Sequence, residues 1–102
     1  MKKDFRQAFN LRVQHNETDH KFLITLGGDE ISVAYDEPKQ GAWQITSVNV
    51  PTQMRSMNVH AQLLEYVLEH ARQEKIEIIP TCAFAKSFIK QNPRFLDMVP
   101  QT

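Results

Sequence analysis

The stretch Val50-Pro51-Thr52-Gln53-Met54-Arg55-Ser56-Met57-Asn58-Val59 constrains this chain more than any other, because it joins a β-branched run to the only long amphipathic helix pattern. A chain that passes straight from strand to helix aims the unpaired N–H groups of the first helical turn at whatever sits before it. An anion such as a pyrophosphate suits that place. Yet the stretch holds no glycine, and the closest backbone approach to a phosphate usually needs one. The order of elements points to a phosphate-bearing ligand, and the composition of the loop points away from it.

The helix pattern runs from Asn58 to Glu74. Val59, Leu63, Val67 and Ala71 recur every four residues, Leu64 and Leu68 widen the stripe, and His60, Gln62, Glu65, Glu69 and Arg72 fall on the polar side. Ser56 or Asn58 supplies N-cap chemistry. Upstream, alternation predicts strands over Leu11–His15, Phe22–Leu26 and Ile31–Asp36, with Asn16–Asp19 as a turn and Gly27-Gly28-Asp29 as a tight hairpin. Asp36 to Gly41, with Pro38, reads as a polar loop. Downstream, Ile76–Pro80 predicts a short strand and Thr81 the cap of a second helix over Phe84, Phe88 and Ile89. Asn92-Pro93 ends that helix, and Phe95, Leu96 and Val99 form an apolar tail. Residues 1–10 read as a flexible arm or a short helix and 11–102 as one domain.

The fourth strand, Ala42 to Val50, breaks its own period. Trp43 and Ile45 share one parity, Val48 and Val50 the other. A bulge near Thr46-Ser47 would bring all four to one face by inserting a residue; the alternative is a strand buried on both faces. The sum is an α+β fold: a four-strand antiparallel meander, a crossover helix, a fifth strand parallel to the fourth and a short C-terminal helix.

Bulk properties exclude several classes of function. Lys plus Arg balances Asp plus Glu at 12 each, so no general attraction to nucleic acid or anionic membrane is expected. No apolar run reaches the roughly 18 residues of a membrane span, and Met1–Arg6 lacks the apolar segment of an export signal. One cysteine, Cys82, forms no disulfide within the chain and suits a reducing cytoplasm. The histidines at 15, 20, 60 and 70 make no metal-ligand spacing, so no metal is expected.

Taken together, the element order, the strand-four irregularity, the Val50-Pro51-x-x-x-Arg55 junction with Val59, and Pro80-x-Cys82-x-Phe84 before Asn92-Pro93 resemble the GNAT N-acetyltransferase superfamily. More narrowly they resemble its minimal, YjdJ-like branch, over about residues 11–99. The resemblance implies an acetyl-CoA-dependent transfer of an acetyl group to an amine of a small molecule or a protein. It implies that the pyrophosphate lies on Met54–His60, with Arg55, Ser56, Met57, Asn58, Val59 and His60 as contacts, and that the pantetheine runs along Val48, Asn49 and Val50. Where the branch has two glycines and a small residue, this chain has Ser56, Asn58 and His60.

Acetyl transfer needs a neutral amine, a polarised carbonyl and a proton for the departing thiolate. Cys82 has two readings: an acyl carrier or proton relay at a helix N-terminus, or a small buried hydrophobe. Arg55 beside a pyrophosphate is chemically apt, as is a surface ion pair. Lys86, Lys90 and Arg94 follow helical spacing as a basic stripe. The glycine-free loop also allows a non-catalytic descendant that binds acyl-CoA or a protein.

Overall fold

Alternation along the strands decides which face of the sheet meets the helix. Phe22, Ile24, Ile31, Val33, Tyr35, Trp43 and Ile45 are all buried on one side, and between them Leu23, Thr25, Ala34, Asp36 and Gln44 are not. Against that side lies the helical stripe of Val59, Leu63, Leu64, Val67, Leu68 and Ala71, each buried as its spacing requires. Burying a side chain of this size contributes about 1.5–3 kcal/mol, so the sheet–helix layer is the main source of stability.

A computed structural model describes residues 12–100. In chain order it holds strands β1 (Gln14–Asn16), β2 (Lys21–Leu26), β3 (Asp29–Lys39) and β4 (Ala42–Asn49), a 3₁₀ turn over Thr52–Met57, helix α1 (Val59–Gln73), strand β5 (Glu77–Pro80), helix α2 (Ala83–Gln91) and a second 3₁₀ turn over Pro93–Met98. The sheet runs β1-β2-β3-β4-β5, antiparallel throughout except for the parallel pair β4–β5. This is the mixed sheet with one crossover helix that the sequence predicts. The arm read over residues 1–10 lies outside the described residues.

Two details confirm local readings. Gly27 and Gly28 both hold positive φ, 56° and 86°, as a two-residue hairpin between Leu26 and its partner Asp29 requires. The bulge is real and centred on Thr46: Ala34 pairs with Ser47 but Tyr35 with Ile45, leaving Thr46 without a partner residue. Its hydroxyl donates to the Ala34 carbonyl at 3.2 Å. Beyond it, Val48 and Val50 turn to the core side with Trp43 and Ile45, so the reading of a strand buried on both faces is not needed.

Other readings need correction. The first strand is Gln14–Asn16, with His15 opposite Phe22, so it takes in Asn16 and leaves out Arg12 and Val13; Leu11 lies outside the described residues. The third strand runs on to Lys39 and takes in Pro38, which the ladder tolerates at a register shift between Asp36 and Lys39. Thr81 is not the cap of α2; Cys82 is. In the C-terminal tail Phe95 is fully buried, whereas Leu96 is 47% exposed. Arg94 does not extend a basic stripe, since α2 ends at Gln91. Its guanidinium pairs instead with Glu65 and Glu69 of α1 and lies over the Phe95 ring, 4.1 Å from its centroid.

Candidate cofactor cleft

The site is built where two parallel neighbours separate. The β4–β5 ladder runs from Ala42 opposite Glu77 to Ile45 opposite Pro80. There the Ile45 carbonyl accepts from the Thr81 amide at 3.1 Å, the Cys82 amide at 3.3 Å and the Thr81 hydroxyl at 2.8 Å. Three donors on one oxygen end the ladder and turn the chain into α2. Strand β4 continues past the bulge to Asn49, so Thr46–Asn49 have β3 on one side and no β5 partner on the other. The two strands therefore part at Ile45, and the space between them beyond that apex is the candidate cleft.

Cys82 stands at that apex. It is partly buried and caps α2, its Sγ accepting the Ala85 N–H at 3.3 Å. The capping role sequence analysis gave to Thr81 therefore falls to the thiol, because the Thr81 hydroxyl is taken by Ile45.

At the open end, Val48, Asn49 and Val50 lead into the turn. Asn49 points to the outer face, its amide reaching the Ser32 and Ser47 hydroxyls at 3.5 and 3.4 Å. Met54 is buried and anchors the 3₁₀ turn, while Met57 is exposed. Within this turn the Met54 N–H bonds to Pro51 and the Asn58 N–H to Arg55. Asn58 is left-handed, with φ 60° and ψ 21°, and makes no side-chain cap. Of the two N-cap readings, Asn58 is the residue at the cap, though it serves by its backbone and not by a side-chain hydrogen bond, and Ser56 lies inside the 3₁₀ turn. The first helical bond is Gln62 N–H to Asn58 C=O, which leaves the N–H groups of Val59, His60 and Ala61 at the helix start. Asparagine is among the few residues that hold this conformation at small cost, so the junction forms without glycine. Arg55 is exposed on the turn and makes no ion pair with a described residue.

His60, on the first turn of α1, lies against Phe84, on the first turn of α2, with ring centroids 4.9 Å apart. Its Nδ1 is buried and has no hydrogen-bond partner among the described residues. Burial, with a smaller contribution from the Arg55 charge, holds its pKa below the ordinary histidine value. The sequence places Phe84 in the second helix and in the Pro80-x-Cys82-x-Phe84 motif; nothing in its spacing signals a partner across the cleft.

The other histidines do converge, away from the cleft. His15 stacks on Phe22 at 3.9 Å, and its Nε2 lies 2.6 Å from the Tyr35 hydroxyl. His20 stacks on Tyr35, and His70 stacks on Trp43. Burial, then Glu17 and Glu37, pushes the Tyr35 phenol up to about 12. No group of side chains suited to a metal occurs among the described residues.

Residues 21–98 match the family model described as GCN5-related N-acetyl-transferase. The chain belongs to this family of acetyltransferases. The fold is similar to the solution structure of a GCN5-like protein from Staphylococcus aureus, provisionally an N-acetyltransferase, at a TM-score of 0.72 and 24% identity over 91% of each chain. A search of curated proteins returns no match.

Proposed function

We propose that the chain transfers an acetyl group from acetyl-CoA to an amine of a small molecule or protein. The observation that carries this reading is the parting of β4 and β5 at Ile45, directly behind the Thr46 bulge. The strand edge Thr46–Asn49, which has no β5 partner, offers backbone groups to an extended amide-bearing chain, which suits Val48, Asn49 and Val50 for the pantetheine. The helix start offers the N–H groups of Val59, His60 and Ala61 to a pyrophosphate, with the Arg55 guanidinium beside it. Ser56, Met57 and Asn58 shape that turn, and Asn58 does so by its left-handed backbone.

When bound, acetyl-CoA supplies an acetyl thioester, whose C–S bond breaks as the C–N bond to the amine forms. Backbone N–H groups of β4 at the bulge polarise the carbonyl. Cys82, at the apex, would hand its thiol proton to the departing thiolate and regain one from the nitrogen of the newly acetylated amine, a role distinct from its capping of α2. Cys82→Ser keeps a cap and a proton donor, whereas Cys82→Ala removes both; loss of turnover in the alanine variant alone, with its CoA affinity and melting temperature unchanged, supports the relay. The lone cysteine and the lack, among the described residues, of a helix long and apolar enough to cross a membrane suit a cytoplasmic setting.

Calorimetric titration of acetyl-CoA and of CoA tests the reading. Binding that weakens about tenfold in Arg55→Ala is expected for loss of a charge-assisted contact. No heat for either ligand at millimolar concentration, in the wild type and in His60→Ala alike, overturns it. The second reading, a fold that binds acyl-CoA or a protein without turnover, is favoured by the His60–Phe84 contact across the junction. Binding without acetylation of any amine in a broad panel would select it.

A further inference from the structure

The helices α1 and α2 start from the two strands that part, so their first turns lie on either side of the cleft. A small residue at position 60 would leave them apart. Here the imidazole spans the gap to Phe84. We propose that the His60–Phe84 contact is a gate across the mouth of the β4–β5 cleft, which a CoA molecule opens by displacing the imidazole. This rests on the reading of the cleft as a CoA site.

The contact is built to open. It holds a ring nitrogen out of water with no hydrogen bond, and the cost of that offsets much of what the ring contact returns. Swinging outward restores hydration to Nδ1 without unfolding anything, because His60 is itself only partly buried and α1 is held by Leu63, Leu64 and Val67 below it. The alternative role for His60, a cation paired with phosphate, is disfavoured where it sits. Burial and the neighbouring Arg55 charge both keep the ring neutral. A closed gate lowers apparent affinity by the fraction of molecules that are open.

CoA is therefore titrated by calorimetry into the wild-type protein, His60→Ala and Phe84→Ala. In parallel, the proximity of the His60 and Phe84 rings is followed by NMR. The gate predicts binding tighter by about fivefold or more in both variants, and loss of the ring–ring contact in the wild type as CoA is added. Unchanged affinity in His60→Ala overturns the gate alone. Weaker affinity also overturns it and makes the imidazole a ligand contact. If the wild type fails to bind and His60→Ala binds, both the gate and the CoA reading stand. If none of the three proteins binds CoA, the reading of the site fails and the gate falls with it. Alanine favours the helix at position 60, so the key variant is expected to fold.

Discussion

The carbonyl of Ile45 is bound by the hydroxyl of Thr81 at 2.8 Å. That bond links the bulged strand to the residue that leaves the sheet, and so it sets where the cleft begins. Thr81→Val keeps the shape and removes the hydrogen bond. It is expected to cost about 1 kcal/mol, or a Tm lowered by about 4–8 °C. Scanning calorimetry checks this, and an unchanged Tm would mean that the two amides alone hold the apex.

Asn58 is the residue on which the glycine-free junction depends. Its φ of 60° lies in the left-handed region, where a β-carbon costs about 1–2 kcal/mol unless the side chain compensates. Asn58→Gly should leave stability unchanged or raise it slightly, and Asn58→Ala should lower it by about 1 kcal/mol. Urea unfolding of the two variants separates backbone conformation from side-chain effects; equal loss in both would point to the side chain.

The C-terminal 3₁₀ turn is fastened to α1 by charge. Arg72 forks onto Asp97 at 3.0 and 3.1 Å, and Arg94 pairs with Glu65 and Glu69 while covering Phe95. Arg94→Ala is expected to cost about 1 kcal/mol, since exposed pairs contribute little singly and the network and ring contact add to them. The loss should shrink in high salt.

The hydrogen bond from Arg72 holds the Asp97 carboxyl below its ordinary value. Its folded pKa is depressed, so its contribution is complete above the ordinary value near 3.8 and is lost as pH falls through the lowered folded one. Unfolding midpoints between about pH 5 and pH 2 should fall less steeply in Asp97→Asn than in the wild type.

His15 works in the same direction at higher pH. Burial lowers its pKa, the neighbouring His70 and His20 add to this, and Glu17 opposes it. The neutral ring is favoured in the fold, so stability is complete above the ordinary value of 6.5 and declines as pH falls through the lowered one. Glu17, Tyr35, His20 and His70 surround it. Urea midpoints should drop on going from about pH 7 to pH 5, and His15→Gln should reduce that drop. A flat wild-type profile would refute it.

The bulge shows how far local pattern reaches. The parity change between Ile45 and Val48 is a direct record of which side chains must be buried, and Thr46 is the residue left over. The capping of α2 shows its limit. Thr81 is the better cap by residue type, but its hydroxyl is drawn to Ile45, a residue distant in sequence, and the thiol of Cys82 takes the position. Arg94 likewise reads as part of a helical stripe until the turn at Asn92-Pro93 brings it beside Glu65 and Glu69.

What the sequence alone determined is the sheet, the crossover helix, the face that β2 and β3 bury and the passage from the fourth strand into that helix. These follow from periodicity, which reports each residue's burial within its own element. Only the tertiary structure decided that Ile45 ends the ladder, that Asn58 supplies the left-handed turn, that His15 meets Tyr35 and that His60 meets Phe84. Such pairs depend on how the crossover and the turns bring separate elements together, and residue spacing carries no measure of that distance.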